Sequence, residues 1–96
     1  MAAYLIVEID VRDPAGYEEY KTLAAQTVQG FGGRYLARGG EAQALEGDWT
    51  PRRVVILEFP SADRAREWWS SKEYGKARDI RRRTADARMI LVEGVA

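Results

Sequence analysis

Residues 4–11 read YLIVEIDV, and this period-2 pattern predicts the first β-strand of the fold. Every second residue from Leu5 to Val11 is aliphatic, so one face of the strand is fully apolar. The opposite face is mixed, because two apolar residues are followed by two acids. It consists of Tyr4, Ile6, Glu8 and Asp10.

A helix is predicted directly after this strand. Asp13 is suited to the N-cap, and Pro14 is suited to the first helical position. Apolar residues recur at helical spacing from Tyr17 to Phe31, with polar residues between them. The glycine pair 32–33 ends the helix, because glycine adopts the left-handed C-cap conformation without strain.

Two further strands are predicted next. Arg34–Arg38 forms a short strand that a second glycine pair closes, and a polar connection containing Trp49 follows. Residues 53–59 read RVVILEF and are rich in β-branched side chains, which favours a third strand. The nearly continuous apolarity of this strand indicates burial on both of its faces.

A second helical segment and a last strand complete the chain. Ser61 is suited to cap the helical segment. Ser70 and Glu73 have the spacing of a capping box, so a break and restart of the helix is predicted there. Residues 88–93 alternate in polarity and form the last strand.

The resulting order, β-α-β-β-α-β, is that of the ferredoxin-like α+β fold, with one domain over residues 1–96. Helices cover one face of a four-stranded antiparallel sheet, and the other face keeps an exposed apolar patch. Its expected members are Tyr4, Ile6, Val54 and Ile56. Patches of this kind usually mark an interface. We therefore expect a homodimer in which two sheets pair and enclose a lined cavity between them.

Composition excludes several classes of function. The chain has no Cys and no His, so thiolate chemistry, zinc–thiolate sites and a Ser–His–Asp arrangement are excluded for the chain alone. Lys+Arg and Asp+Glu are 15 each, and a neutral chain is unlike a non-specific nucleic-acid binder. The N-terminus does not resemble a signal peptide and no stretch is long enough to span a membrane, so a cytoplasmic protein without a membrane partner is predicted.

RNA-recognition modules share this order of strands and helices. They present two or three aromatic residues on the central strands. The third strand has one aromatic residue, Phe59, and the net charge is zero. These two features argue against an RNA partner.

Several segments carry a resemblance to a known family. They are GGRYLARGG at 32–40, LEGDW at 45–49, RVVILEFPS at 53–61, WWSSKEY at 68–74, the arginine at 81 and LVEG at 91–94. With this order and spacing, the chain resembles the family called domain of unknown function 1330, which belongs to the dimeric α+β-barrel group. The resemblance implies the fold and a homodimer, but no reaction and no cofactor. The wider group includes cofactor-free monooxygenases, dehalogenating enzymes and haem enzymes, and those activities are analogies at the level of the fold.

Arg38 is the leading candidate for ligand binding, because it stands on a short strand between two glycine pairs. Its guanidinium group is suited to receive a carboxylate, with Arg53 or Arg81 as a second donor. The alternative is a surface arginine that is paired with Glu41 or Glu46.

Aromatic side chains form a second group of candidates. Tyr74 and Arg81 lie seven residues apart and share one face of the predicted helix. With Trp68 or Trp69, they are candidates for one wall of the cavity, and Trp69 is the tryptophan we assign to the ligand. Packing in the core is the alternative for the aromatic residues.

Three carboxylates lie within strands, and they are the candidates for a catalytic base: Asp10, Glu8 and Glu58. Burial would raise the pKa of such a group and suit it to accept a proton. The alternative, which we prefer, is structural ion pairing, with Arg38 and Arg53 as partners. A dedicated metal site is not predicted, since few oxygen ligands converge.

Two functions remain open. In the first, the dimer binds a small organic acid or aromatic compound in each barrel cavity, with or without cofactor-free chemistry. In the second, the protein is a non-catalytic structural or interaction dimer whose cavity is filled by side chains. A cavity below about 100 Å³ would exclude a drug-sized ligand.

Overall fold

The computed structural model describes residues 1–95. It contains four strands and three helices. They are β1 (Ala3–Val11), α1 (Pro14–Gly30), β2 (Arg34–Arg38), β3 (Arg53–Phe59), α2 (Ala62–Ser70), α3 (Lys72–Thr84) and β4 (Ala85–Glu93). The strands form one antiparallel sheet in the order β2-β3-β1-β4. This is the ferredoxin-like α+β arrangement, and the prediction of the fold class is confirmed.

Short polar side chains fix where the helices begin. Asp13 caps α1 by accepting a hydrogen bond from the amide of Gly16, and Ser61 caps α2. The predicted restart is also found, but its cap is Ser71, not Ser70. Ser71 has an extended backbone and its Oγ accepts from the amide of Tyr74 at 3.1 Å. Ser70 is still helical, and its hydroxyl donates to a carbonyl of the preceding turn.

The last strand begins at Ala85, three residues before the predicted start at Arg88. The reason is its partner, because β1 runs to Val11 and Ala85 lies opposite Val11 in the ladder. The additional residues, Ala85, Asp86 and Ala87, alternate in polarity, but alanine and aspartate are depleted in strands, so their signal in the sequence is weak. Pairing with the central strand supplies the backbone hydrogen bonds that hold them extended.

The two faces of the sheet differ in burial. The face under the helices holds the core, including Leu5, Val7 and Leu57. On the opposite face, which we call the uncovered face, Ile6 is 38% exposed and lies between Ile56 and Ile90 of the neighbouring strands. The predicted burial of β3 on both faces is confirmed for the helix-covered face. Within one chain, the residues of β3 on the uncovered face are half-buried.

Candidate functional site

A small cavity lies between the helices and the sheet of a single chain. Aliphatic side chains of the sheet form its floor, and aromatic and cationic side chains form its walls and mouth. The latter are Tyr17, Tyr20, Tyr35, Trp68, Lys21, Arg38 and Arg53. This cavity lies on the helix-covered side of the sheet. The predicted cavity between two paired sheets involves a second copy of the chain and stays a prediction.

The volume of this cavity is about 20 Å³. This is room for a water molecule or for a small polar group, because one water needs roughly 10–15 Å³ measured in this way. The cavity is therefore smaller than the 100 Å³ that a drug-sized ligand would need. Any larger ligand has to leave its main part outside the mouth.

A β-bulge places Arg38 at this mouth. Residues three apart on a regular strand point to opposite faces, but the register of β2 shifts between Tyr35 and Ala37. Tyr35 lies opposite Leu57 and Arg38 lies opposite Val55, so both face the helices. The guanidinium carbon of Arg38 is 4.4 Å from the centre of the Tyr35 ring.

The contacts of Arg38 are cation–π and backbone contacts. Its Nη2 donates to the carbonyl oxygen of Lys21 at 3.1 Å, and its side chain is largely exposed. No ion pair joins it to Glu41, Glu46 or any other carboxylate among residues 1–95. Arg38 is also one of the residues that line the cavity.

Arg53 is the second arginine of the mouth. Its guanidinium carbon lies 5.7 Å from the centre of the Tyr17 ring. The group packs directly on Gly39, where a Cβ atom would come within 2.0 Å of Arg53 Nη1. Gly39 also has a φ of 76°, which favours glycine. The buried Nε of Arg53 has no hydrogen-bond partner in residues 1–95, and no carboxylate there pairs with this arginine.

Tyr74 and Arg81 meet in the core, as their shared helix face predicted. Arg81 is 9% exposed, and its Nη1 donates to Tyr74 Oη at 3.1 Å. Tyr74 Oη in turn lies 3.0 Å from Tyr20 Oη. Burial raises the pKa of Tyr20 far above its ordinary value, so this hydroxyl stays protonated at neutral pH.

The two tryptophans have different environments. Trp68 is 1% exposed, packs against Tyr74 with ring centres 4.0 Å apart and donates from Nε1 to Thr27 Oγ1. Trp69 is 43% exposed and lies under the guanidinium group of Arg78. The predicted wall is therefore divided, because Trp68 lines the cavity and Trp69 does not.

Trp69 and Arg81 line a separate open groove along β4. Its volume is about 310 Å³, and its other walls are mainly apolar side chains such as Met89 and Leu91. Arg81 is thus reached from this groove, while Arg38 and Arg53 stand at the cavity. The proposal that Arg81 is a second donor beside Arg38 has no support in this arrangement.

The candidate bases lie on the uncovered face, away from the cavity. Glu8 is paired with Arg88, and it also accepts from Trp49 Nε1 and the amide of Arg52. The hydrogen bond from Arg88 is the main reason that the pKa of Glu8 is below its ordinary value. Asp10 lies on the same face of β1 and is exposed.

Glu58 follows the same rule as Glu8. Its partner is Arg34, with Nε 2.6 Å from Oε1, and this hydrogen bond lowers the pKa of Glu58. Ion pairing is thus found for both glutamates, but the predicted partners Arg38 and Arg53 are wrong. The register is the cause, since both arginines point to the opposite side of the sheet. Within residues 1–95, no group of three or more potential metal ligands comes together.

Three tyrosines that line the cavity were missed as site residues: Tyr17, Tyr20 and Tyr35. Tyr17 and Tyr20 are spaced i, i+3 on the buried stripe of α1, so their pattern is also that of ordinary core residues. Burial raises the pKa of Tyr17 and of Tyr35. An excess of tyrosine over phenylalanine, five against two, was the available signal, because a buried hydroxyl needs a partner.

This architecture, a four-stranded antiparallel sheet with helices on one face, is that of the α+β-barrel proteins. The family model described as "Domain of unknown function (DUF1330)" matches residues 2–95. The chain therefore belongs to this family. A comparison with curated proteins finds no match.

Solved structures of the same fold include three informative relatives. A protein of unknown function from Rhodopseudomonas palustris has 20% identity and a TM-score of 0.77, over 99% of this chain and 83% of that one. SnoaB, a cofactor-independent oxygenase from Streptomyces nogalater, has 11% identity and a TM-score of 0.68, over 99% and 94%. A conserved protein of unknown function from Bacteroides thetaiotaomicron has 15% identity and a TM-score of 0.64, over 97% of both chains. At these identities the likeness concerns the fold alone.

One observation bears on membranes. None of the helices in the described residues is both long and apolar enough to cross a bilayer.

Proposed function

We propose that this protein binds a small organic acid, with the carboxylate held between Arg38 and Arg53 at the mouth of the cavity. One observation carries the proposal: both guanidinium groups lie on tyrosine rings and have no carboxylate partner in residues 1–95. A cation whose neighbours are aromatic rings keeps its hydrogen-bond donors for an external anion.

The size of the cavity limits what enters it. About 20 Å³ accommodates one end of a carboxylate but not an aromatic ring. The body of the ligand therefore stays at the mouth, against Tyr35 and the stem of Lys21. A planar or aromatic body suits this surface, because it packs on the ring of Tyr35.

The geometry favours binding over proton abstraction. The candidate bases Glu8 and Glu58 point away from the cavity, and their arginine partners lower the pKa of each. A carboxylate of this kind is a weak base at neutral pH. Cofactor-independent oxygenation is the activity of SnoaB, and the shared fold does not carry it to this chain.

A homodimer completes this proposal. The apolar strip of the uncovered face, with Ile6 between Ile56 and Ile90, supports pairing of two sheets. Such a dimer leaves the cavity of each chain on its outer, helix-covered side. A non-catalytic interaction dimer is the second candidate, and the small size of the cavity is the observation that favours it.

Calorimetric titration with benzoate tests the proposal, with benzamide as the neutral comparison. Arg38→Ala should weaken benzoate binding by about 1.5–3 kcal/mol, the usual contribution of a charged hydrogen bond. The matched control is Arg34→Ala, which removes an arginine from the other end of the same strand, on the opposite face. If neither benzoate nor phenylacetate binds the wild type, or if both variants bind alike, the interaction dimer is the better description.

A further inference from the structure

Three polar side chains form a hydrogen-bonded chain through the core. Arg81 lies at the groove along β4 and donates to Tyr74 Oη at 3.1 Å. Tyr74 Oη lies 3.0 Å from Tyr20 Oη, and Tyr20 lines the cavity. The chain Arg81–Tyr74–Tyr20 therefore joins the groove to the cavity.

Arg81 fixes the direction of this chain. A guanidinium group has donors only, so the oxygen of Tyr74 must accept from Arg81 and the hydrogen of Tyr74 must find another acceptor. The sole acceptor that Tyr74 Oη contacts among residues 1–95 is Tyr20 Oη.

The opposite direction is unfavourable. Tyr74 is 0% exposed and lines neither the cavity nor the groove, so water does not reach its hydroxyl from either space. If Tyr20 donated to Tyr74, the hydrogen of Tyr74 would be buried without an acceptor and would carry the full desolvation penalty.

We infer that Tyr20 is a ligand-contacting residue, whose hydroxyl accepts from Tyr74 and presents its own hydrogen to the cavity as a fixed donor. This inference rests on the proposed function, in which the head group of an organic acid enters the cavity. Tyr20 then determines specificity together with Arg38 and Arg53, because all three offer hydrogens. The site selects a head group made of acceptors, such as a carboxylate or a carbonyl oxygen, and rejects an ammonium or amidinium head.

The state of Tyr20 agrees with this role. Burial raises its pKa, so the hydroxyl keeps its hydrogen at neutral pH and remains a donor. Within the described residues, Tyr20 Oη has no hydrogen-bond partner other than Tyr74. Its hydrogen is therefore left for a group inside the cavity.

The direction of the hydrogen bond between Tyr74 and Tyr20 is measurable without any ligand. In wild-type protein with ring-carbon-labelled tyrosine, a hydroxyl proton in slow exchange couples through bonds to the ring that owns it. The proton between the two oxygens should belong to Tyr74. Assignment of that proton to Tyr20 would overturn the inference, whether or not the protein binds acids.

Binding of benzoate tests the specificity. Tyr20→Phe should weaken it about ten- to a hundredfold, as expected for loss of a hydrogen bond to a charged group. The infrared carboxylate stretch of bound, carbon-labelled benzoate should also shift in this variant, which a purely structural effect would not cause. The control is Tyr4→Phe, which removes a tyrosine hydroxyl from the uncovered face, away from the cavity, and should bind within about twofold of wild type.

The outcomes separate the two proposals. Absence of benzoate binding to the wild type contradicts the proposed function. The proton assignment still decides which tyrosine donates in the Tyr74–Tyr20 hydrogen bond. Normal binding by Tyr20→Phe with an unshifted carboxylate stretch contradicts the role of Tyr20 and leaves the proposed function intact. If Tyr20→Phe does not fold, the proton assignment in the wild type still decides.

Discussion

The two faces of the one sheet carry opposite arrangements of charge. On the helix-covered face, arginines lie on tyrosine rings at the cavity, and none of them has a carboxylate partner in residues 1–95. On the uncovered face, each glutamate of the two central strands forms an ion pair with an arginine of a neighbouring strand. The unpaired group is Arg38 and Arg53, and the paired groups are Glu8 with Arg88 and Glu58 with Arg34.

This difference separates two uses of the same residue type. An arginine over an aromatic ring stays available to an external anion, whereas an arginine paired with a glutamate has its charge already compensated. The compensated pairs flank the apolar strip on which we propose that a second copy of the chain pairs. The uncompensated pair suits the covered face to an acidic ligand.

The largest expected effect is on stability, and it is tested by truncating two neighbouring residues of β3 that point to opposite faces. Leu57 is fully packed in the core, so Leu57→Ala should lower the free energy of unfolding by about 2–5 kcal/mol. Ile56 is half-buried, so at low protein concentration Ile56→Ala should lower the free energy of unfolding less than Leu57→Ala does. Its effect should increase at higher protein concentration, where the proposed dimer forms. Urea unfolding at two protein concentrations measures both. Equal, concentration-independent losses would remove the distinction between the faces.

The alternation along β1 made this distinction predictable from the sequence, whereas the nearly continuous apolarity of β3 predicted burial on both faces. Both strands were nevertheless identified to within one residue, and the Asp13 and Ser61 caps fix the helix starts. The start of β4 was not predictable in the same way, because Ala85, Asp86 and Ala87 are of residue types depleted in strands and are held by pairing with the end of β1.

The site was less predictable than the fold. Arg38 was identified as a candidate from its residue type and the flanking glycines, but its face depends on the bulge in β2. A one-residue bulge leaves no mark on the pattern of a five-residue strand, and it reverses the direction of every side chain beyond it. The partners of Glu8 and Glu58 depend on the same long-range register, so they too required the structure.

A second test asks whether the uncovered face is an interface. Ile6→Asp should raise the dissociation constant of the dimer at least about a hundredfold, since roughly 3 kcal/mol is lost when an unpaired charge is buried. Light scattering at micromolar concentration should then give a monomer mass for the variant and a dimer mass for the wild type. Val95→Asp is the control, because Val95 is exposed outside the sheet. A monomeric wild type would disprove the assignment of this face.

A third test concerns the covered face and the position of Arg53. Gly39→Ala should displace the guanidinium group of Arg53 and also strain a backbone with φ of 76°, at a cost of about 1–2 kcal/mol of stability. Benzoate binding should weaken as well. Gly40→Ala is the matched control, since a Cβ atom there meets no atom within 4 Å. Equal behaviour of the two variants would show that Arg53 is not held by Gly39.

The smallest effect is expected from the paired charges, and it appears as a dependence of stability on pH. The folded pKa of Glu8 is depressed, mainly by the hydrogen bond from Arg88, so the folded state binds fewer protons than the unfolded state in this range. The stabilisation is therefore complete above the unfolded pKa, about 4.3, and is lost as the pH falls through the folded pKa.

Glu8→Gln removes this titration, so the stability of the variant should fall less steeply than that of the wild type between about pH 5 and pH 3. Urea unfolding at several pH values compares the two slopes, and the difference between wild type and variant should shrink towards acid pH. Parallel curves would mean that the Glu8–Arg88 pair does not contribute to the free energy of unfolding. The contrast between the two faces would then depend on the apolar strip alone.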